Sequence, residues 1–264
     1  MKWTPIVNPP GPKAGTFSRR LVALTRSRDF LEWEKPWRIF VPDQDDEGLL
    51  EFYGMGGTHS RGRLLVGLVR VLRDDLPHEP GAAVEGIGYT VLATSRDGVH
   101  WTRDREPFLP RNPVPGTWDR AMTWASAVQP VGDELFIYYG GYARGHKIAP
   151  GTERQIGLAR MRRDRYVSRR AGSAAGVLRT PLLQLPACSM TINAAIRGEV
   201  RVCVLNAEGE PLAELGESRA IHGDALAHPV HWRGTLATAA GRPVCLEFGL
   251  REAELFGFDL VAAG

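Results

Sequence analysis

Hydrophobic and polar positions along most of the chain follow the short period of β-strands. Residues 49–72 contain two apolar segments, LEFYGM and LLVGLV, separated by the polar turn RGR, and residues 122–139 repeat this arrangement around Gly132 and Asp133. Apolar segments of this length, bounded by glycine turns, are typical of strands joined in hairpins. The pattern predicts an all-β protein in which no helix is needed.

A seven-residue phrase recurs within this pattern. SRDFLEW begins at Ser27 and SRDGVHW begins at Ser95, 68 positions later, and each phrase follows an apolar segment and precedes a stretch that contains proline. A weaker third copy over residues 156–160 places Asp164 67 positions after Asp97. A repeat of this length, built from strands with many Gly and Pro, fits one four-stranded blade of a β-propeller.

Four residues of the repeated phrase are interpreted as structural. Asp29 and Asp97 are expected to cap backbone amides in a tight turn, because aspartate carboxylates accept hydrogen bonds from nearby N–H groups. Trp33 and Trp101 are expected to pack between blades.

The spacing of the repeat also indicates that part of the propeller is missing. The residues from Trp3 onward are similar to those from Trp101 onward, but Trp3 precedes Trp33 by 30 positions where the repeat requires 68, which leaves 38 residues missing. The chain would therefore hold about two and a half blades, fewer than the four to eight of a closed propeller. An open arc exposes strand edges, so the chain is either a fragment or a shortened protein that assembles through those edges.

After Gly172 the repeat stops and shorter alternating segments follow, over residues 198–206, 243–250 and 255–261. Strands of this length at this spacing are typical of an antiparallel sandwich. We therefore expect a partial five-bladed-type β-propeller over residues 1–171 and a C-terminal β-sandwich over residues 172–264.

The composition agrees with a folded domain that has many turns. The 264 residues include 30 Gly and 19 Pro, and contents of 43% hydrophobic and 24% charged residues are ordinary for a globular protein. No apolar run approaches the roughly 18 residues that span a bilayer, and the N-terminal segment lacks the apolar core of a signal peptide. We expect a cytoplasmic protein with no membrane partner, or a secreted one if the natural chain begins further upstream.

The charge pattern does not favour nucleic acid as a partner. The net charge is +3, although seven arginines fall between Arg154 and Arg170. Arginines at alternate positions of an edge strand prevent unwanted strand pairing, and we favour this role over nucleic-acid binding.

The cysteines give no sign of a metal centre or a disulfide framework. Their spacing matches no metal-ligand motif, and apolar or strand-like residues flank each of them, so they are expected to be buried free thiols: Cys188, Cys203 and Cys245. No metal and no other cofactor is predicted.

Several phrases resemble one group of carbohydrate-active enzymes. These phrases are the SRDxxxW turn, EFYGM at Glu51, GTWDRAM at Gly116, GDELFIYYGG at Gly132, and GRPVCLEFGLREAELFGFDL from Gly241. The order of these phrases resembles five-bladed propeller glycoside hydrolases of the invertase (family 32) and arabinanase (family 43) kind. The whole chain is similar to uncharacterised bacterial members in which a small β-sandwich follows the propeller, and by this comparison it is truncated.

The resemblance implies carboxylates at the centre of the propeller, because glycosidic cleavage needs one protonated and one charged carboxyl group. The position of the transition-state stabiliser matches Asp119, although the Arg-Asp-Pro order typical of the family is changed here. Glu51 lies 68 positions upstream, so both carboxylates are expected at the same height on neighbouring inner strands. Asp119 and Glu51 are the predicted catalytic residues, and for each the alternative is a carboxylate that merely faces water.

Aromatic and histidine residues near these carboxylates are the predicted substrate-binding residues. Trp118, Tyr53 and Trp124 could stack on sugar rings, and inter-blade packing is the alternative. His59 and His146 are expected at corresponding positions in loops that close hairpins, where they either contact substrate or are simply solvated.

The positions of the nucleophile and of the general acid are lost or unmatched. We therefore predict a glycoside hydrolase-like protein that acts on or binds oligosaccharide, with weak or lost hydrolytic activity. The alternatives are a non-catalytic carbohydrate-binding protein and an assembly module that forms a homo-oligomer through open propeller edges. Two central carboxyl groups about 5–9 Å apart would favour hydrolysis.

Overall fold

The structure is a computed structural model that describes residues 2–8, 15–148 and 153–262, with side chains from Arg19 onward. These residues form sixteen β-strands and one 3₁₀ turn, Leu236–Ala239, and none of them lies in an α-helix. The prediction of an all-β protein is confirmed. Within the described ranges no helix is long and apolar enough to cross a bilayer.

The chain divides into two compact units. The first comprises Met1–Val131 and Leu135–Arg160, and the second comprises Gly132–Glu134 and Met161–Gly264. Strand β10 (Arg154–Arg162) runs across this division. The domain ranges 1–171 and 172–264 stay a prediction.

The first unit begins with a three-stranded antiparallel sheet. Strand β1 (Lys2–Asn8) pairs with β2 (Gly15–Leu24), and β2 pairs with β3 (Trp37–Phe40). Apolar side chains of this sheet share one core with side chains of the strands that follow it, and this core contains Val22, Phe40, Leu50, Phe52, Val69, Val71, Val91 and Ala93. The first sheet is therefore anchored by burial of apolar surface against the next one.

The remaining strands of this unit form one mixed sheet of seven strands. An antiparallel meander comes first, formed by β4 (Leu50–Arg61), β5 (Leu64–Arg73), β6 (Ile87–Ser95) and β7 (Thr102–Leu109). It is followed by β8 (Met122–Val131), β9 (Glu134–Tyr142) and β10, in the strand order β10-β9-β8-β6-β5-β4. Where the sequence suggested separate propeller blades, the second and third sets of strands share a single sheet.

The junction between β6 and β8 depends on Gly88. This residue pairs in parallel with Met122, and a Cβ at position 88 would lie 2.5 Å from Nε1 of Trp124 and 2.6 Å from Cε of Met122. The pairing of β7 with β6 reaches only Thr90, so the start of β6 is open to β8. Only a residue without a side chain allows β8 to approach this closely, and this approach explains why the strands merge into one sheet.

The repeated phrase forms the same hydrogen-bonded turn in both copies. The Oγ atoms of Ser27 and Ser95, and the Oδ1 atoms of Asp29 and Asp97, each accept from the backbone amides two and three residues further along, at 2.8–3.3 Å. In both copies the tryptophan Nε1 donates to the carbonyl oxygen of the fourth residue of the phrase, at 3.2 and 3.1 Å. Asp29 and Asp97 therefore cap backbone amides, as expected from the sequence.

The two tryptophans of this turn differ in burial. Trp101 packs against the apolar core, with its ring centroid 6.4 Å from that of Phe40. Trp33 is 51% exposed and contacts the ring of Phe30 within the same turn. Packing between strand layers thus applies to Trp101, whereas for Trp33 the expectation is wrong because its turn leaves the ring at the surface.

The second unit is organised around two long antiparallel strands, β14 (Cys188–Leu205) and β16 (Pro243–Ala262). The other strands flank this pair: β15 (Ile221–Pro229) beside β14, and β11 (Arg169–Ala171), β12 (Gly176–Arg179) and β13 (Leu183–Gln184) beside β16. Register shifts between Ile196 and Glu199 bend β14, because a bulge increases local twist. The six strands form one curled antiparallel sheet around an apolar core, where the sequence suggested a two-sheet sandwich.

The cysteines and the arginine-rich segment largely follow the expectations. All three cysteines are free, but only Cys188 is buried, and Cys203 and Cys245 are half-buried. Strand β10, which carries the first of the arginines, lies at one end of the seven-stranded sheet. Several of the arginines have protein partners, among them Arg160 over the ring of Phe136 and Arg162 with Asp224.

Replacement of Gly98 by alanine should destabilise the protein. Gly98 has φ +72°, and a left-handed conformation costs a residue with a Cβ about 1–2 kcal/mol. We expect the free energy of unfolding, measured by urea denaturation, to fall by about 1 kcal/mol. Gly140→Ala is the control, since its φ lies outside the left-handed range and the nearest atom to the added Cβ is 3.8 Å away. Equal losses in the two variants would contradict this account of the turn.

Candidate functional site

Glu51 lies near the start of β4 in a half-buried environment. Its carboxylate is 3.6 Å from a guanidinium nitrogen of Arg20 and accepts a hydrogen bond of 3.3 Å from the Arg20 backbone N–H. Its side chain is 13% exposed, and burial raises the pKa of the carboxyl above its ordinary value despite the nearby arginine. Desolvation of the charged form therefore outweighs the attraction to Arg20.

Four rings form a contact group beside this carboxylate, which we call the aromatic group: Tyr53, Trp124, Tyr142 and His146. The ring of Tyr53 lies 4.7 Å from that of Trp124 and 4.8 Å from that of His146, and the Arg20 guanidinium lies 4.1 Å above the Tyr53 ring. Side chains two apart on a strand share a face, so Glu51 and Tyr53 point the same way while Phe52 between them is fully buried.

The aromatic group includes residues that the sequence did not indicate. The ring of Tyr142 lies 6.1 Å from that of Trp124, and the Arg154 guanidinium lies 4.5 Å from the centroid of the Tyr142 ring. Arg20, Tyr142 and Arg154 carry no motif. Cation–π contacts between distant parts of a chain leave no local pattern in the sequence, so only the folded structure identifies these three residues.

The environment of His146 favours its neutral form. Burial, followed by the positive charge of Arg20, lowers the pKa of the imidazole below its ordinary value of 6.5. A neutral imidazole has one nitrogen that can accept and one that can donate a hydrogen bond. His146 is therefore suited to hydrogen-bond a hydroxyl group.

Trp124 differs from the other members of the group because it is mostly buried. It is 7% exposed, and its Nε1 donates a hydrogen bond of 2.8 Å to the carbonyl oxygen of Val71. Its ring contacts Tyr53 and His146. Its indole therefore supports the other rings, and the substrate-binding role given to it from the sequence stays a prediction.

Asp119 lies in a second cluster, formed with Trp118 and Tyr139. The hydroxyl of Tyr139 donates to one carboxylate oxygen at 3.0 Å, and burial together with this hydrogen bond raises the pKa of Tyr139 to about 12. The Trp118 and Tyr139 rings stack with centroids 5.6 Å apart. Asp119 is 6% exposed, and its other carboxylate oxygen is buried with no hydrogen-bond partner among the described residues.

Two glycines leave room for this second cluster. A Cβ at Gly141 would lie 2.2 Å from the Trp118 ring, and one at Gly157 would lie 2.3 Å from the Tyr139 ring. Any side chain at either position would displace the stacked rings. The glycines of β9 and β10 thus position the side chains around Asp119.

The two predicted catalytic carboxylates do not occupy equivalent positions. Glu51 lies within β4, whereas Asp119 lies in a turn three residues before β8, where the Arg120 N–H donates to the Thr117 carbonyl oxygen at 3.2 Å. This turn shifts the start of β8 relative to the repeat, so the expected equal height on neighbouring strands is wrong. No hydrogen bond or ion pair joins Glu51 to Asp119 within the described part of the chain. Their catalytic roles stay a prediction.

The two histidines are not equivalent either. His59 lies on β4 opposite Val66, with its Nδ1 atom 2.9 Å from the Gly57 carbonyl oxygen, and His146 lies in the loop after β9. His59 is eight residues beyond Glu51, a separation on the order of 20 Å along a strand. The structure therefore brings Glu51, Tyr53, Trp124 and His146 together and places Trp118 and Asp119 in another cluster.

The described residues contain no cluster of three or more His, Cys, Asp or Glu side chains that could hold a metal ion. The chemistry available at the two clusters is that of carboxylates, arginines, a neutral imidazole and aromatic rings.

Comparison with known proteins finds remote similarity. No protein-family model and no curated protein matches the chain. Two solved structures, a "Glycoside hydrolase" and a complex of BT0996 and RGII, are similar at 17% identity over 57% of this chain and 38% of theirs, with TM-scores of 0.33 and 0.31. A glycoside hydrolase family 43 arabinoxylan arabinofuranohydrolase from Bacillus subtilis is similar at 10% identity over 87% of this chain and 56% of its own, with a TM-score of 0.24.

These matches amount to a distant structural resemblance to glycoside hydrolases. The chain spans 38% of the length of the first two of these structures. The TM-scores are too low to carry an argument about activity or ligand.

The raised pKa of Glu51 predicts a pH-dependent contribution to stability. In the folded chain the carboxyl holds its proton more tightly than in the unfolded chain, where the pKa is near 4.5. The stabilising contribution is therefore fully present below that pH and is lost as the pH rises through the folded-state pKa. We expect the wild-type protein to lose stability relative to Glu51→Gln as the pH is raised from about 4 to 7.

Thermal unfolding of both proteins over this pH range is the measurement. Glu47→Gln is the control, because the Glu47 side chain is 88% exposed. Wild-type and Glu51→Gln curves that stay parallel across the range would contradict the burial of Glu51.

Proposed function

We propose that the first unit is a partial β-propeller of the five-bladed type found in glycoside hydrolase families 32 and 43, and that the second unit is the accompanying sandwich-like domain. Three successive sets of strands, β1–β3, β4–β7 and β8–β10, support this proposal. So does the turn that recurs at 68 positions with the same hydrogen bonds in both copies. The function we propose for this assembly is oligosaccharide binding with weak or no hydrolysis.

The observation that carries the binding proposal is the aromatic group beside Glu51. Sugar rings pack their C–H faces on aromatic rings, while their hydroxyl groups bond to charged and polar side chains. Tyr53 and His146 are half-buried rather than fully buried, and Glu51 and Arg20 adjoin them with complementary charges. Residues from distant parts of the chain thus converge on the mixture of groups that a saccharide requires.

The positions of the carboxylates support weak or lost hydrolysis. Cleavage requires one protonated and one charged carboxyl group on opposite sides of the same glycosidic bond. Glu51 is ion-paired with Arg20, whereas Asp119 belongs to the other cluster and is bonded to Tyr139. A protein that binds sugars through one cluster without using both carboxylates fits this arrangement.

Tyr53→Ala should weaken oligosaccharide binding about tenfold, because an aromatic stacking contact contributes about 1–1.5 kcal/mol. Isothermal titration calorimetry with arabino-oligosaccharides and fructo-oligosaccharides is the measurement. Tyr138→Ala is the control, since Tyr138 is an exposed tyrosine of β9 outside the aromatic group. Failure of every such saccharide to bind the wild-type protein would overturn the binding proposal.

The same titrations separate a binding protein from an enzyme. In a binding protein, Asp119→Asn should leave the affinity unchanged within about twofold, whereas an enzyme would lose turnover. Release of reducing sugar by the wild-type protein at rates near those of ordinary glycosidases would overturn the proposal of weak or lost hydrolysis.

An assembly role is a second candidate, favoured by the exposed edge strand β10. Ile156 is 84% exposed and Leu158 is 44% exposed, and both project from the same face of the terminal strand. Exposed apolar residues on an edge strand are a common site of pairing with another chain.

Ile156→Lys should abolish self-association if this edge joins two copies, because a buried unpaired charge would be placed in the contact. Light scattering coupled to size-exclusion chromatography measures the change. Val177→Lys, at an exposed position of β12, is the control. A wild-type protein that stays monomeric at all concentrations would exclude this role.

A further inference from the structure

The two copies of the repeated turn have the same backbone but different tips. We call Ser27–Trp33 turn 1 and Ser95–Trp101 turn 2. Turn 1 carries three exposed apolar side chains: Phe30 (80%), Leu31 (84%) and Trp33 (51%). The corresponding positions of turn 2 hold Gly98, Val99 and the largely covered Trp101. Turn 1 therefore has an apolar tip that the turn geometry does not require.

The backbone at Phe30 makes this tip costly. Phe30 has φ +64°, in the left-handed region, where turn 2 has Gly98 at φ +72°. A residue with a Cβ is strained there, and glycine is not. The Phe30 ring recovers little burial in return, since its contact is with the edge of Trp33. Packing within the unit does not explain phenylalanine at this position, whereas contact with an apolar phase outside the protein does.

Positive charge surrounds the tip. Arg28 and Lys35 flank turn 1, are exposed, and have no partner among the described residues. The Trp37 Nε1 donates to the Val99 carbonyl oxygen at 3.3 Å, so turn 2 lies beside turn 1 and adds the exposed Arg96.

The acidic residues of turn 1 offset this charge only in part. Asp29 accepts backbone hydrogen bonds and Glu34 is paired with Arg26 at 2.7 Å, which leaves Glu32 as the unpaired acid of turn 1 within the described chain. The free charges around the tip are therefore predominantly positive.

A projecting apolar tip with a basic surround matches the interface of a membrane that contains anionic lipids. Aromatic and leucine side chains enter the headgroup region, and basic side chains remain at the charged surface. The Phe30 and Trp33 rings are nearly perpendicular, at 87°, and so form no flat platform for a sugar ring. Symmetric contact between two copies would bring like charges together. We propose that turn 1 inserts its apolar tip into the surface of an anionic lipid bilayer.

Cosedimentation with vesicles tests this proposal. The full chain should sediment with vesicles of phosphatidylcholine containing about one third phosphatidylserine, and added salt should reduce binding, because it screens exposed charges. The variant F30G/L31S keeps the turn, since glycine is the residue that turn 2 uses at the first position. We expect it to lower the partition coefficient at least about tenfold through loss of apolar insertion.

Two further variants distinguish the parts of the mechanism. R28Q/K35Q should weaken binding to the anionic vesicles about tenfold and leave binding to pure phosphatidylcholine unchanged. V177S removes an exposed apolar side chain from β12 and should have no effect. The melting temperature of F30G/L31S should equal or exceed that of wild type, because the strain at position 30 is relieved.

Three results would overturn the proposal. One is absence of wild-type binding to the anionic vesicles. Another is unchanged binding by F30G/L31S. The third is a wild-type dimer in light scattering that F30G/L31S converts to monomer, which would show that a second copy of the chain covers the tip instead.

Discussion

The arrangement of the first unit depends on the close approach of β8 to β6 at Gly88. The Gly88 N–H donates to the Ala121 carbonyl oxygen at 2.9 Å, and the Ala121 N–H donates to the Tyr142 carbonyl oxygen at 2.8 Å. These bonds place Trp124 beside Tyr53 and hold the segment that contains Asp119 ahead of β8. A side chain at position 88 would separate the strands, and both candidate clusters would lose their geometry.

Burial of charged and polar groups distinguishes the two clusters. At the aromatic group, burial favours the neutral forms of both Glu51 and His146, although Arg20 adjoins them. At the other cluster, one oxygen of Asp119 is bonded to Tyr139 and the other has no described partner. Unsatisfied or desolvated polar groups cost folding free energy, and such costs are commonly found where a protein binds something else.

Sequence reasoning identified part of the site and could not identify the rest. Glu51, Tyr53, Trp124 and His146 were selected for residue type and for position in the repeat, and they lie together. Arg20, Tyr142 and Arg154 were missed because their contacts join distant strands. Asp119 was expected level with Glu51, but the turn at Thr117–Arg120 occupies the residues that the repeat assigns to the start of the strand. A period in the sequence measures residues, and turns and bulges change how many residues a given length of strand contains.

Local sequence was sufficient to establish the all-β class and the structure of the SRDxxxW turn. Both depend on interactions between residues close in the chain: the two-residue alternation of strands, and side-chain hydrogen bonds that reach two or three residues ahead. Tertiary packing was needed to establish that β8 joins β6, that the second unit is one curled sheet, and that Trp33 is exposed while Trp101 is covered. These outcomes depend on strand register and on which surfaces meet, because identical local turns can face either an apolar core or solvent.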